Sequence, residues 1–249
     1  LAQFVALISV LLLFAMSGSA EDFQIWLEKL RVEAEDKGIS QSVLDEALAG
    51  IQPIPRVIEL DRRQPEFTLT FAQYRDRVVP QSRIKKGRVK YQENRDLLEE
   101  IGGKIGVQPR FIVALWGIET DFGRVTGGFK VIPALATLAH DGRRSAFFRK
   151  ELLNALQILH EGHIAPKEMM GSWAGAMGQS QFMPSSFLAH AVDYDGDGRR
   201  DIWTTRPDIF ASAANYLANS GWRADQTWGR EVKVPADFDL ALAVLKVRK

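Results

Sequence analysis

Glu119 is the residue whose type and placement point most directly to chemistry. In PRFIVALWGIET, Phe111, Leu115 and Glu119 recur at i, i+4 and i+8, with Ile112 and Trp116 beside them. The carboxylate therefore falls on the apolar stripe of a predicted helix. Lost solvation there disfavours the charged form and raises the pKa. If the helix ends near Gly123, the negative end of its dipole pushes the same way. An acid kept protonated near neutral pH is what protonating a leaving oxygen requires. A buried glutamate hydrogen-bonded for packing would show the same pattern, and helix position alone does not separate the two. Asp121 is the nearest candidate for a second carboxylate, but residues at i and i+2 point to different helix faces. Capping or solvating the turn before Gly123 is its expected role. An ordinary glycosidase needs two cooperating carboxylates, and the sequence displays no convincing second one.

Two further stretches carry unusual residue types. GSWAGAMGQSQFMPSS, Gly171 to Ser186, combines neutral hydrogen-bonding groups (Ser172, Gln179, Gln181) with apolar faces (Trp173, Phe182, Met183). Such a mixture suits a sugar, whose rings have apolar faces and hydroxyl rims, and equally suits a tight helix-packing turn. In DYDGDGRRDIW, Asp193, Asp195, Asp197, Gly198, Arg199 and Asp201 occupy positions 1, 3, 5, 6, 7 and 9 of an EF-hand-like loop. Alternate carboxylates can converge on one hard cation, and Arg199 would offer its carbonyl. Position 12 is Thr204, where a bidentate glutamate is expected, so Asp208 is the nearest later carboxylate able to close the sphere. Structural Ca2+ is the expected occupant, without an organic cofactor.

Composition excludes other classes. The chain has 249 residues, 46% hydrophobic and 25% charged, ordinary globular values. Lys+Arg 32 against Asp+Glu 31 leaves a net charge of +1, which gives no support to a nucleic-acid-binding protein. No cysteine is present, so disulfides, thiolate zinc sites, a cysteine nucleophile and a lipidated N-terminal cysteine are all excluded. The sequence has no G-x-S-x-G elbow, Walker loop or Rossmann fingerprint. His160 and His163 could share a helix face, but no third zinc ligand is evident.

The elements that must position these residues are mainly helical. Residues 1–20 are uncharged, apolar from Phe4 to Met16 and end in Gly18-Ser19-Ala20. They read as a secretory signal peptide cleaved before Glu21, shorter than the roughly twenty residues a bilayer span needs. Residues 21–100 form an N-terminal helical region, with a turn-rich linker from Gln52 to Pro55 and an amphipathic stretch carrying Phe67, Phe71 and Tyr74. RIKKGRVK, Arg83 to Lys90, holds five basic residues in eight and reads as a solvated helix end or loop. After Gly102, helices are predicted over PRFIVALWGIET, SAFFRKELLNALQIL, SSFLAHAVD and PDIFASAANYLANSG. EVKVP alternates, so residues 222–249 read as the start of a truncated β region.

Taken together, ALWGIETDFG, ATLAHDGRRSAFFRKELL, GSWAGAMGQSQFMPSS and DYDGDGRRDIW followed by SAANYL resemble the lytic murein transglycosylase B family. The likeness reaches back to DRRQPEFT (Asp61–Thr68) and covers about residues 23 to 240. It implies a lysozyme-like α core over residues 101–221, with the calcium loop at 193–208. It also implies action on peptidoglycan glycan strands in the periplasm. Family enzymes cleave the β-1,4 bond between N-acetylmuramic acid and N-acetylglucosamine without consuming water, leaving 1,6-anhydromuramic ends. Glu119 matches the catalytic glutamate, acid first and base second, which accounts for the absent second carboxylate. Ser172 matches a substrate-orienting serine, and Gln181 and Tyr216 match cleft residues that Phe182 and Met183 help to shape. Asp193, Asp195, Asp197, Arg199 and Asp208 match the calcium loop. Family members continue to a Tyr-Asn-containing segment that returns to the active site. Without a lipidated cysteine, a protein free of the membrane after signal cleavage is expected, and a monomer. A hydrolytic muramidase using Asp121, or a non-catalytic, calcium-stabilised murein-binding protein, are the competing readings.

Overall fold

Proline opens four of the helices at their first or second position, where its missing N–H is not needed. The computed structural model describes residues 22–63, 70–226, 229 and 232–242. Helix α1 (22–36) is followed by α2 (Gln41–Ala47), α3 (Pro55–Arg62), α4 (Phe71–Val78), α5 (Gln81–Glu93), α6 (Arg95–Ile105) and α7 (Pro109–Thr120). Then come α8 (Val131–Asp141), α9 (Ser145–His160), α10 (Pro184–His190) and α11 (Arg206–Asn219). Two short strands, β1 (Phe129–Lys130) and β2 (Met170–Gly171), pair antiparallel with Phe129 opposite Gly171. The expected mainly α architecture holds.

Two hydrophobic cores position the site. Phe23, Leu27 and Leu30 of α1 pack with α2, α3, α8 and α9 in a core that reaches Met177, Phe182 and Phe187. The second joins Leu98 and Ile101 of α6, Ile112 and Trp116 of α7, and Ile209 and Phe210 of α11. Phe148, Leu152, Leu156 and Leu159 are all buried along α9, as their spacing predicts. Asp61, almost fully buried, pairs with Arg143 (2.9 Å) and Arg144, which ties α3 to the α8–α9 turn.

Three helices differ from the sequence pattern. α3 begins at Pro55, inside the expected linker. α6 runs past residue 100, the expected end of the N-terminal helical region, to Ile105. α8 lies in a stretch for which no helix is predicted, and it is buried over Val131, Ile132 and residues 134–139. Each of its buried Val, Ile and Leu side chains stabilises the fold by about 1.5–3 kcal/mol, and that burial holds the helix. RIKKGRVK is neither a helix end nor a loop: it fills the middle of α5. Phe71 and Tyr74 of α4 are exposed, so their stripe faces no core. Among the described residues between 222 and 242 there is no strand, only turns and a 3-10 helix at Leu240–Leu242. The signal segment, Phe67 with the 64–68 part of DRRQPEFT, and Glu231 lie outside the described residues. No described helix is long and apolar enough to cross a membrane.

Candidate active site

α7 ends where the chemistry is expected. Its buried face is Ile112, Val113, Trp116, Gly117 and Thr120. The Phe111–Leu115–Glu119 row runs along the edge of that face, and Glu119 is exposed rather than buried. The side chain still touches solvent, yet the surrounding walls remove enough water to push its carboxyl above the ordinary glutamate value. It makes no hydrogen bond or ion pair to any described residue, so the packing role suggested by its helix position is not the one it plays. Asp121 is different. It accepts hydrogen bonds from Arg124 (2.6 Å) and Lys86 (3.0 Å), and Arg83 lies 3.7 Å away. The Arg124 bond, with Lys86 in support, holds the Asp121 carboxyl below the usual range.

The 171–183 segment closes against this helix end. Met177 bridges Gly171 on one side and Phe182 on the other, folding the glycine-rich stretch back on itself. Thr120 Oγ1 donates to the Gln179 carbonyl (3.0 Å), and Trp116 Nε1 donates to Gln179 Oε1 (2.7 Å). The Gln179 amide nitrogen donates to the Trp203 carbonyl (2.7 Å). Gln179 therefore straps α7 to this segment and to the end of the acidic loop, and its side chain is occupied by that work. Gln181, in the left-handed region at φ 49, donates from Nε2 to the Thr126 and Gly178 carbonyls (3.0 Å each). Its side-chain oxygen makes no hydrogen bond to any described residue. Ser172 Oγ accepts the Ala174 and Ala176 amides (3.3 and 3.0 Å), which leaves its O–H free to donate to a ligand. Phe182 is buried and packs on Tyr216 with ring centroids 5.5 Å apart, so it shapes the wall from behind. Met183, half-buried, is the N-cap residue of α10.

Next to this wall, ligand oxygens of Asp193, Asp195 and Asp197 lie within 4.8 Å of one another. Three carboxylates so close, two of them exposed and none ion-paired, make a hard-oxygen donor set that fits a divalent cation such as calcium. Arg199 follows with its amide donated to Asp197 (2.8 Å). Asp208 does not join the converging group. It is fully buried in the first turn of α11, and its two oxygens accept the Tyr194 and Asp201 amides (2.8 Å each). Asp201 caps the Trp203–Thr205 turn instead of pointing into the cluster. The histidines are held apart: His160 accepts the Ser40 amide, while His163 is bound by Arg200 and Glu161.

The profile of the transglycosylase SLT domain matches residues 22–249. The chain belongs to the transglycosylase SLT family. It is similar to SltB3 from Pseudomonas aeruginosa, solved in complex with NAG-NAM-pentapeptide. That likeness has 45% identity and a TM-score of 0.88, and covers 91% of this chain and 61% of that one. It is also 32% identical over 224 residues to membrane-bound lytic murein transglycosylase B of Escherichia coli, covering 86% of this chain and 60% of that protein. The Escherichia coli lytic transglycosylase Slt35, solved in complex with calcium, aligns at 32% identity and a TM-score of 0.72. It covers 84% of this chain and 65% of that one. The chain thus spans about 60% of the length of the curated relative it matches.

Around Glu119, sequence reasoning missed Thr120, Lys86 and Arg124. Thr120 lies beside Glu119 but reads as an ordinary helix residue, and Lys86 reaches the site from a helix thirty-five positions earlier. The metal reading has a direct check. At a calcium concentration about 100 times the Kd, the folded state gains about 2.7 kcal/mol. At roughly 2–4 °C per kcal/mol, chelation should lower Tm by roughly 5–10 °C. Asp195→Ala should show the lower Tm with calcium present and no further change on chelation. An Asp195→Ala melting curve that matches the parent in calcium would count against the site.

Proposed function

We propose that this chain is a lytic transglycosylase of periplasmic peptidoglycan, with Glu119 as its proton-transfer group. It would cleave the bond between N-acetylmuramic acid and N-acetylglucosamine. One observation carries the reading: α7 presents one carboxyl with a raised pKa and no partner among the described residues, while Asp121, two residues on, is held by cations. Glu119 would give its proton to the glycosidic oxygen as the C1–O bond breaks. The C6 hydroxyl oxygen then bonds to C1 and its proton returns to Glu119. Bonds and protons balance without water, so one carboxyl serves as acid and then base. A hydrolase would need a second carboxylate free to activate water, and Asp121 is ill suited because Lys86 and Arg124 hold it.

Ser172 and the Gln181 oxygen supply neutral hydrogen bonds to sugar hydroxyls or acetamido groups, and Met183 and Tyr216 supply apolar surface. The Asp193–Asp195–Asp197 cluster would hold calcium and stiffen the loop that receives the Gln179 strap. SltB3 was solved with NAG-anhNAM-pentapeptide as well as with the uncyclised muropeptide, which supports peptidoglycan as the substrate of this chain.

The test is mass spectrometry of fragments released from purified sacculi. Muramic ends lighter by one water support the proposal; reducing ends select hydrolysis, and sacculus binding with no release selects a non-catalytic role. The pH dependence carries a sign. Because Glu119 is raised above 4.5, the protonated acid persists beyond the ordinary glutamate range, and kcat/KM should fall as pH rises through the raised value. Asp121 behaves oppositely in stability. Its folded value lies below 3.8, so its contribution is present above pH 3.8 and is lost as pH falls through the lowered value.

A further inference from the structure

Immediately after Glu119 and Thr120, two consecutive non-glycine residues adopt left-handed backbone: Asp121 at φ 51 and Phe122 at φ 62. Each such residue costs about 1–2 kcal/mol relative to ordinary backbone and persists only where its surroundings over-determine it. A single ammonium group supplies much of that determination. Lys86 Nζ donates to the Asp121 carboxylate (3.0 Å) and to the Asp121 backbone carbonyl (3.2 Å). It also lies 5.3 Å from the centroid of the Phe122 ring, at cation–π distance. The same ring is seated against two glycines. A Cβ on Gly117 would fall 2.7 Å from Phe122 Cζ, and one on Gly87, next to Lys86, would fall 3.3 Å from it. Arg124 closes the other side of the Asp121 carboxylate at 2.6 Å.

We propose that Lys86 is a positioning residue for the catalytic turn, and that this is the work of the basic run in α5. By pinning Asp121 and Phe122 in their left-handed states, it fixes where α7 stops and thereby where the Glu119 carboxyl stands. The contacts of Lys86 are with Asp121 and Phe122, and it makes no hydrogen bond or ion pair with Glu119. The inference rests on Glu119 being the proton-transfer group. Rate is sensitive to such placement: displacement of about 1 Å by a change away from the chemistry costs on the order of 10²-fold.

The test compares Lys86→Met and Lys86→Arg with the parent chain by glycan-release kinetics and by amide hydrogen exchange. Arg124 still compensates Asp121 in both variants, so both should fold. Lys86→Met should lower kcat by about tenfold to a hundredfold, with KM within about twofold and faster exchange at the Asp121 and Phe122 amides. Lys86→Arg, which keeps a cation and its donors, should recover most of kcat and the slow exchange. Unchanged kcat and exchange in Lys86→Met would overturn the proposal. So would a rise in KM with kcat intact, which would make Lys86 a substrate contact. An arginine variant as impaired as the methionine one would overturn it too. If the parent chain released no anhydromuramic ends, the Glu119 reading would fail, and the exchange rates alone would then decide for or against the positioning role.

Discussion

Glu119→Gln should reduce fragment release from sacculi by about 10²- to 10⁴-fold, the range lost when a general acid–base group is removed. Stability should not fall with it. The carboxyl has no protein hydrogen bond to lose, and burial opposes its charged form, so a neutral isostere removes a penalty instead of a contact. The variant should melt at or slightly above the parent temperature at pH 7, by differential scanning calorimetry. Loss of release together with a Tm several degrees lower would mean that Glu119 supports the fold and that its chemical role had been misassigned.

Gly127→Ala should have the largest structural effect of any single methyl added near the site. Gly127 adopts φ 105, and a Cβ there would stand 2.0 Å from the Gly171 carbonyl oxygen and 2.6 Å from the Ser172 nitrogen. These are backbone atoms of the β1–β2 neighbourhood, so no side chain can swing away. Forced separation of the two segments should cost about 2–4 kcal/mol, a fall in Tm of roughly 5–15 °C at 2–4 °C per kcal/mol. It should also displace Ser172 and lower turnover. Gly128→Ala is the control, because a Cβ there meets nothing within 4 Å. Equal melting curves for the two variants would contradict the close approach.

The helix carrying the proposed acid was legible because Pro109 marks its start and apolar spacing marks its length. The bounds Pro109–Thr120 coincide with the segment expected. What spacing could not tell was depth: the row 111, 115, 119 is apolar at two positions, yet it borders the core rather than entering it. Glu119 has its raised pKa because of the walls brought by other segments. α8 is harder to read because Pro133 stands at its third position within a short apolar run, which spacing alone does not separate from a buried strand. In the acidic loop, alternate spacing identified Asp193, Asp195 and Asp197. Asp208, the residue expected to close the sphere, is buried in the first turn of α11 and lies outside the three converging carboxylates, a placement that loop spacing does not encode. Gln179 likewise had the right chemistry for a sugar ligand, but its partners Trp116 and Trp203 come from both sides of it in sequence. The charge run in α5 looked like a solvated face. Only folding brings Lys86 to Asp121, thirty-five residues on.

The central claim is that one carboxyl transfers both protons and that water supplies no atom to the product. Digestion of purified sacculi by this chain in water enriched in oxygen-18, followed by mass spectrometry of the released muramic ends, tests it directly. Anhydromuramic products with no oxygen-18 at C1 are the predicted result. Reducing muramic ends carrying oxygen-18 at C1 would show that water attacks that carbon, and would contradict the assignment of both proton transfers to Glu119.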